Sequence, residues 1–201
     1  NYKFEQSKFP TKKKGKRDIY GGQVRGSIVH KQLMMYANKY SVDEFKKQYL
    51  SIHPYSIKAF RFLKLNQWIP IIAELPVADP DLMIATAIDM ICINIKGEII
   101  LIEWKTGMDN YMLKGTNSMD GPIKDNNCPL NQAHLQLLFG KIFLEKNHGI
   151  KSDKEYVVQI KEEGVVSYSL PKEYLQKKNA LYNYLSSTMV NDKKKIKSKF
   201  F

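Results

Sequence analysis

Two aliphatic runs joined by a tight turn constrain this chain more than any other feature. Residues from Thr86 to Ile95 are rich in Ile and Met, and Lys96-Gly97 is turn chemistry. Glu98 to Thr106 then returns as Glu-Ile-Ile-Leu-Ile-Glu-Trp-Lys-Thr. That pattern predicts a β-hairpin, apolar enough to lie centrally in a sheet. Each run carries an acid, Asp89 in the first and Glu103 in the second, with Lys105 two residues on. Strand alternation places Glu103 and Lys105 on one side and Trp104 on the other. With a two-residue turn, Asn94 and Ile95 approach Glu98 and Ile99. Asp89 then falls opposite a residue near 104, a close neighbour of Glu103. Burying two carboxylates and an ammonium is unfavourable unless they pair or bind a cation. Converging carboxylates suit a hard divalent ion, and an adjacent lysine can hold or deprotonate a water. A Glu-x-Lys alone is equally a salt bridge at a sheet edge. The acid inside Ala-Thr-Ala-Ile-Asp-Met-Ile-Cys-Ile favours a site.

The flanking sequence completes an α/β (α+β) order with a mixed central sheet. After Gly21-Gly22, the residues Ile28, Leu33, Met34 and Ala37 have helical spacing, with Gly26, His30, Leu33 and Ala37 along one stripe. Ser41 and Glu44 form a capping box for a second short helix, His53-Pro54 breaks it, and 55–68 reads as a third. Ile71 to Leu75 reads as a strand and Asp79-Pro80-Asp81 as a turn. Residues 107–129 are polar and read as one long loop, of the kind that is usually functional or mobile. A helix over 130–147 ends at Gly149, strands near 155–161 and 164–169 flank Glu162-Glu163-Gly164, and Pro171 starts a last helix to about Thr188.

The 201 residues carry 32 basic and 20 acidic side chains, a net +12. Residues 1–20 hold +5 and residues 191–201 hold +4, leaving +3 on 21–190. The chain therefore divides into a basic arm (1–20), one domain (21–190) and a basic tail (191–201). Such termini are solvated runs, nuclear addresses or non-specific phosphate contacts. Arginine occurs only at positions 17, 25 and 61, so lysine point charges dominate over bidentate base contacts. Cys92 and Cys128 form no metal-ligand spacing. No apolar run is long enough to span a bilayer, so no membrane partner is expected. A reducing intracellular compartment, cytoplasm or nucleus, fits; an organelle fits if a presequence precedes Asn1. The Lys-, Ile- and Asn-rich composition accords with AT-rich coding, as in a virus, a phage or an AT-rich cell.

Asp89, followed after thirteen intervening residues by Glu103-Trp104-Lys105, resembles the PD-(D/E)XK nuclease superfamily, most closely its RecB-type and lambda-exonuclease-like branch. Gly26-Ser27-Ile28-Val29-His30 is similar to that branch's GxxxH helix. The strand with Glu74 lies where the family places a strand before the aspartate. His134-Leu135-Gln136-Leu137 resembles the downstream glutamine motif. The resemblance spans about residues 22–170 and implies a restriction-endonuclease-like core. It implies His30, Asp89, Glu103 and the main-chain carbonyl of Trp104 as ligands of one or two Mg²⁺ or Mn²⁺ ions, with Glu74 as an accessory acid. Lys105 would activate water and stabilise phosphate charge, and Gln136 would position the lysine or substrate. Gln132, Tyr111, Arg25, Lys12, Lys13 and Lys14 are further candidate substrate contacts. His53, His134 and His148 read as structural or solvated. The chain departs from the family where a tyrosine is replaced by Gly140 and a glycine by Thr86. The implied activity is metal-dependent hydrolysis of single- or double-stranded DNA, first of all by an exonuclease of replication, recombination or repair. An RNA endonuclease of the same fold and a silent nucleic-acid-binding module are the alternatives.

Overall fold

A row of apolar strands forms the middle of the molecule. The computed structural model describes residues 19–41, 43, 44, 47, 51–107, 111–115 and 117–188. The elements are α1 (Ile19–Ala37), α2 (Pro54–Leu65), β1 (Ile69–Asp79), β2 (Ile84–Ile93), β3 (Ile99–Thr106), α3 (Pro129–His148), β4 (Lys154–Ile160), β5 (Val165–Ser169) and α4 (Lys172–Gln176). The five strands make one sheet in the order β1-β2-β3-β4-β5. The β3–β4 pair is parallel and the other three are antiparallel. The chain is thus an α/β fold with a mixed central sheet, and the predicted hairpin occupies its interior.

Two apolar layers hold the sheet. On one face α1 and α2 bring Val29, Leu33, Ala37, Ala59 and Leu63 against Met90, Cys92, Ile100, Ile102, Trp104 and Val158. The three α1 residues are spaced i, i+4, i+8; Leu33 and Ala37 lie on the stripe expected from the sequence, and Val29 joins them. On the other face α3 packs Ala133, Leu137, Phe143 and Leu144 against Ile88, Leu101 and Val157. Cys92 and Cys128 are buried and free.

Local chemistry sets the helix ends. Ser41 and Glu44 form the predicted capping box: Ser41 N donates to Glu44 Oε2 (2.6 Å) and Glu44 N to Ser41 Oγ (3.3 Å). His53 caps α2, its Nδ1 accepting from Tyr55 N, with Pro54 in the first turn. After α1 and α2, Lys39 (φ 56°) and Gln67 (φ 56°) turn left-handed. Tyr40 N then donates to Met35 O and Trp68 N to Leu63 O, closing both helices in Schellman fashion. Gly149 ends α3 at φ 66°.

Two expectations are corrected. The β2–β3 connection is not a two-residue turn, because the ladder closes at Ile93↔Ile99. Asn94 Oδ1 accepts from both Lys96 N and Glu98 N, which folds 94–98 around one side chain. The segment 107–129 is a loop as expected where it is described, anchored by the buried Met112, Met119, Ile123 and Cys128, with Ser118 bridging Asn126. The helix after Pro171 is interrupted at Lys177, with a second helical stretch over 178–188. Asp79 serves the turn as expected, Oδ1 accepting from Asp81 N and Leu82 N. Among the described residues, no helix is long and apolar enough to cross a membrane.

Candidate metal centre

The alternation of side chains reverses at two facing positions in β1 and β2. Ala73 and Met90 pack in the α1–α2 layer, whereas Leu75 and Ile88 pack in the α3 layer. Residues two apart on a regular strand share a face, so the chain departs from regular geometry between them. Glu74 has φ +53°, a left-handed backbone that is rare for a non-glycine residue inside a strand. With Ala73↔Met90 and Leu75↔Ile88 paired, the intervening Glu74 and Asp89 stand opposite each other. On the other edge of β2 the ladder ends at Met90↔Ile102, and the next position brings Asp89 level with Glu103. The sequence placed Asp89 one residue away, near 104. The wider connection at Asn94 accounts for the slip.

His30 closes over these acids from α1. Its Nδ1 lies 3.3 Å from Glu74 Oε1 and 3.7 Å from Asp89 Oδ1. Its Nε2 lies 3.2 Å from the main-chain oxygen of Trp104. Asp89 Oδ2 accepts from Trp104 N at 2.7 Å, satisfying a main-chain donor just beyond the ladder. Gly26 faces the end of β3, where a Cβ would meet Thr106 Oγ1 at 3.4 Å, an ordinary contact. His30, Glu74 and Asp89 offer one ligand atom each within 4.8 Å of one another.

Glu103 and Lys105 adjoin this cluster. Lys105 Nζ donates to Glu103 Oε1 at 2.7 Å, as their shared side of β3 predicts. Trp104 faces the other way, its ring buried beside Phe62. Burial, then the negative charge of Asp89, pushes the Glu103 carboxyl up to about 7, against the pull of Lys105. Burial also raises Asp89, opposed by His30 and by the Trp104 hydrogen bond. Burial alone would lower His30, but its bond to Glu74 and the charges of Asp89, Glu74 and Glu103 outweigh that and raise it. A ring protonated at both nitrogens donates to Glu74 and to the Trp104 carbonyl at once.

Three carboxylates thus crowd one ammonium and one imidazole, and the two most buried acids resist ionisation. A divalent cation would relieve that crowding, and hard carboxylate oxygens with one imidazole suit Mg²⁺ or Mn²⁺. His30, Glu74 and Asp89 could hold such an ion directly. Glu103 and the Trp104 carbonyl are adjacent donors.

The remaining predicted residues are more dispersed. Gln136 is half-buried on α3 and, among the described residues, makes no hydrogen bond to Lys105 or Glu103. Gln132 is exposed and donates to Asn127 Oδ1, bracing the preceding loop. Tyr111 is 42% exposed. The Arg25 guanidinium lies 5.0 Å from the Tyr55 ring centre and is packed where a Cβ on Gly107 would collide with it. Lys12, Lys13 and Lys14 lie outside the described residues. His53 and His134 are buried, and burial lowers each to about 4. His148 is exposed in the last turn of α3. An open pocket of about 540 Å³ borders the cluster, lined by Gly26, Ser27, His30, Lys31, Met34 and Glu74. Ser27, Lys31 and Met34 were not among the candidate site residues read from the sequence. Their i, i+4, i+7 spacing beside Gly26 and His30 is the signal that marks them. No protein-family model and no curated protein matches the sequence, so the case for this centre rests on its own geometry.

Proposed function

We propose that the chain is a divalent-metal-dependent nuclease hydrolysing DNA phosphodiester bonds, acting at DNA ends in replication, recombination or repair. The observation that carries this reading is the convergence of His30, Glu74 and Asp89 from three separate elements, with the Glu103–Lys105 pair beside them. A structural ion pair needs one acid and one base. Three acids, two of them nearly buried, share only His30 and Lys105 as basic partners, an arrangement that a divalent cation would neutralise more fully.

His30, Asp89 and Glu74, with Glu103 and the Trp104 carbonyl adjacent, would hold Mg²⁺ or Mn²⁺, which would supply Lewis-acid stabilisation of phosphate charge and a more acidic water. The number of carboxylates leaves room for one ion or two. Lys105, fixed by Glu103, presents an ammonium to charge developing on the phosphate. Glu103, a carboxylate adjacent to the proposed ion, would accept a hydrogen bond from the attacking water. Asp89 is braced by Trp104 N, so its free oxygen keeps one orientation toward His30. The resemblance of these motifs to the lambda-exonuclease-like branch supports end-directed action. The lysine-rich termini suit attraction to a polyanion.

The test is cleavage of end-labelled linear and closed circular DNA, each single- and double-stranded, with Mg²⁺, Mn²⁺ or EDTA. Cleavage is expected with either metal and not in EDTA, with circles spared. Asp89→Asn and Lys105→Ala should each lower the rate by about 10²–10³-fold. Failure to cleave any DNA with either metal overturns the proposal. Glu74 enlarges the histidine–acid set, the feature shared with cap-cleaving RNA endonucleases, so an RNA oligonucleotide belongs in the same assay. Binding that survives both EDTA and Asp89→Asn would identify a silent binding module.

A further inference from the structure

We infer that Gln159 is a positioning residue for Lys105: from the neighbouring strand it fixes the point where β3 ends, and with it the reach of the ammonium toward the metal centre. The inference rests on the nuclease reading, in which Lys105 faces charge developing on the phosphate. Gln136, the glutamine that the resemblance assigns to this task, bonds neither Lys105 nor Glu103 among the described residues. Gln159 lies closer in the fold. In the parallel β3–β4 ladder Lys105 is paired with Gln159, as Glu103 is with Val157. The two side chains therefore leave the same face of the sheet as neighbours.

Gln159 is fully buried, and its strand neighbours Val157, Val158 and Ile160 are all core. A buried amide is tolerated there only with its hydrogen bonds made. Its bonds reach the end of β3. Nε2 donates to Gly107 O at 2.6 Å, and Oε1 accepts from Tyr168 OH at 3.1 Å. Gly107 follows Lys105 by two residues and leaves the sheet at φ 70°. Its N donates to Ile160 O at 2.8 Å, so β4 holds both of its main-chain polar groups. From α1, Arg25 fills the space that a Cβ on Gly107 would need, which closes the other side of the turn. Lys105 is thus fixed at two points. Its Nζ donates to Glu103 Oε1, and the backbone just beyond it is clamped by Gln159. Releasing Gly107 leaves the ammonium tied to Glu103 while the main chain that carries it is free to shift. A displacement of about 1 Å at a group that meets the transition state costs up to ~10²-fold in rate. Tyr168 completes the arrangement by aiming the amide from β5.

Two variants separate positioning from support of the fold. Gln159→Met keeps the volume and removes both hydrogen bonds, whereas Tyr168→Phe removes only the hydroxyl that aims the amide. Linear DNA and Mg²⁺ are used at a temperature where thermal unfolding shows each variant folded. There kcat of Gln159→Met should fall about 10–100-fold, with KM within about twofold of wild type. Tyr168→Phe should lose about two- to fivefold in kcat. Hydrogen exchange of the Gly107 amide, read by NMR without metal or DNA, should quicken about tenfold in Gln159→Met. A role in stability alone would lower the melting temperature and leave kcat of the folded protein unchanged. Unchanged kcat, a loss confined to KM, or unchanged exchange at Gly107 overturns the inference. If Gln159→Met does not fold, Tyr168→Phe decides by the same criteria. Wild-type protein that cleaves no DNA, with exchange at Gly107 still quickened in the variant, would sink the nuclease reading and leave the clamp on β3 standing.

Discussion

Replacing Glu74 by glycine and by alanine separates two consequences of one residue. Glu74 sits at φ +53° in the interior of β1, and an L-residue in that conformation is destabilised by about 1–2 kcal/mol. Glycine removes that strain but loses about 0.5–1 kcal/mol of chain entropy in a strand. The net difference favours Glu74→Gly over Glu74→Ala by about 0–1.5 kcal/mol. Both variants lose the contact with His30. The two side chains are 29% and 38% exposed, so the loss is about 0–1 kcal/mol. Relief of the repulsion that helps raise Asp89 offsets part of it. In EDTA, Glu74→Gly should therefore melt about 2–4 °C above Glu74→Ala, the shift expected of ~1 kcal/mol in a chain of this size. With saturating Mn²⁺ the order of benefit reverses. Wild type should gain stability by ligand linkage, and both variants should gain much less. The assay is thermal unfolding followed by far-ultraviolet circular dichroism, with and without the metal. Glu74→Ala melting above Glu74→Gly in EDTA would refute the strained backbone. An undiminished Mn²⁺ shift in either variant would refute Glu74 as a ligand.

Gly140 of α3 faces Ile88, where an added Cβ would lie 3.0 Å from Ile88 Cγ1. Gly140→Ala gains about 1 kcal/mol of helix propensity but overpacks by about 1–3 kcal/mol, so urea denaturation should show a net loss of roughly 0–2 kcal/mol. Asp79 is fully buried and accepts from Lys146 Nζ (2.9 Å), Tyr182 OH (2.8 Å) and two main-chain amides. Asp79→Ala should destabilise by about 3 kcal/mol and loosen 178–188, which hydrogen exchange would detect. Burial works to raise the Asp79 carboxyl, but its bonds to Lys146, Tyr182 and Leu82 outweigh it and hold the carboxyl below the ordinary 3.8. Its stabilisation is thus complete above 3.8 and fades as pH falls through the lower folded value. The metal centre has the opposite sign. Glu103 rises from 4.5 to about 7, and Asp89 and His30 are raised as well, so in EDTA these groups stabilise most at low pH, and Glu103 loses its contribution as pH climbs from 4.5 to about 7. Denaturant midpoints across that range should fall in EDTA and level off with Mg²⁺; a flat profile in EDTA would contradict the crowded carboxylates.

Much of this architecture was legible because the deciding signals are local. Strand composition, the Ser41–Glu44 box, Pro54, Pro129 and Gly149 each act within a few residues, and each appears where its chemistry places it. The Glu103–Lys105 contact follows from alternation alone. The register at Asp89 was missed by one residue because Asn94 wraps its side chain around the turn, a choice that Lys96-Gly97 does not announce. The interruption at Lys177 is equally silent, since nothing in Gln176-Lys177-Lys178 is a helix breaker. Gln132 shows the limit of motif spacing. One helical turn from Gln136, it shares a face in sequence, yet its amide is committed to Asn127.

Glu74 illustrates why the metal centre was harder to see than the sheet. Nothing in Ile-Ile-Ala-Glu-Leu marks a left-handed residue, because the conformation is imposed by two apolar layers that demand opposite faces of neighbouring stretches. Ala73 and Met90 belong to α1 and α2, Leu75 and Ile88 to α3. The chain must switch between them, and the switch falls on the two acids. At that point neither carboxylate is required to fill an apolar layer, so both are available to His30. The strain and the site therefore have one origin. A strand regular through residue 74 would place residues 73 and 75 on one face, and one apolar layer would lose its contact. Selection for the packed core and selection for the acid cluster then act on the same backbone angle, which is why a distortion of this kind can persist.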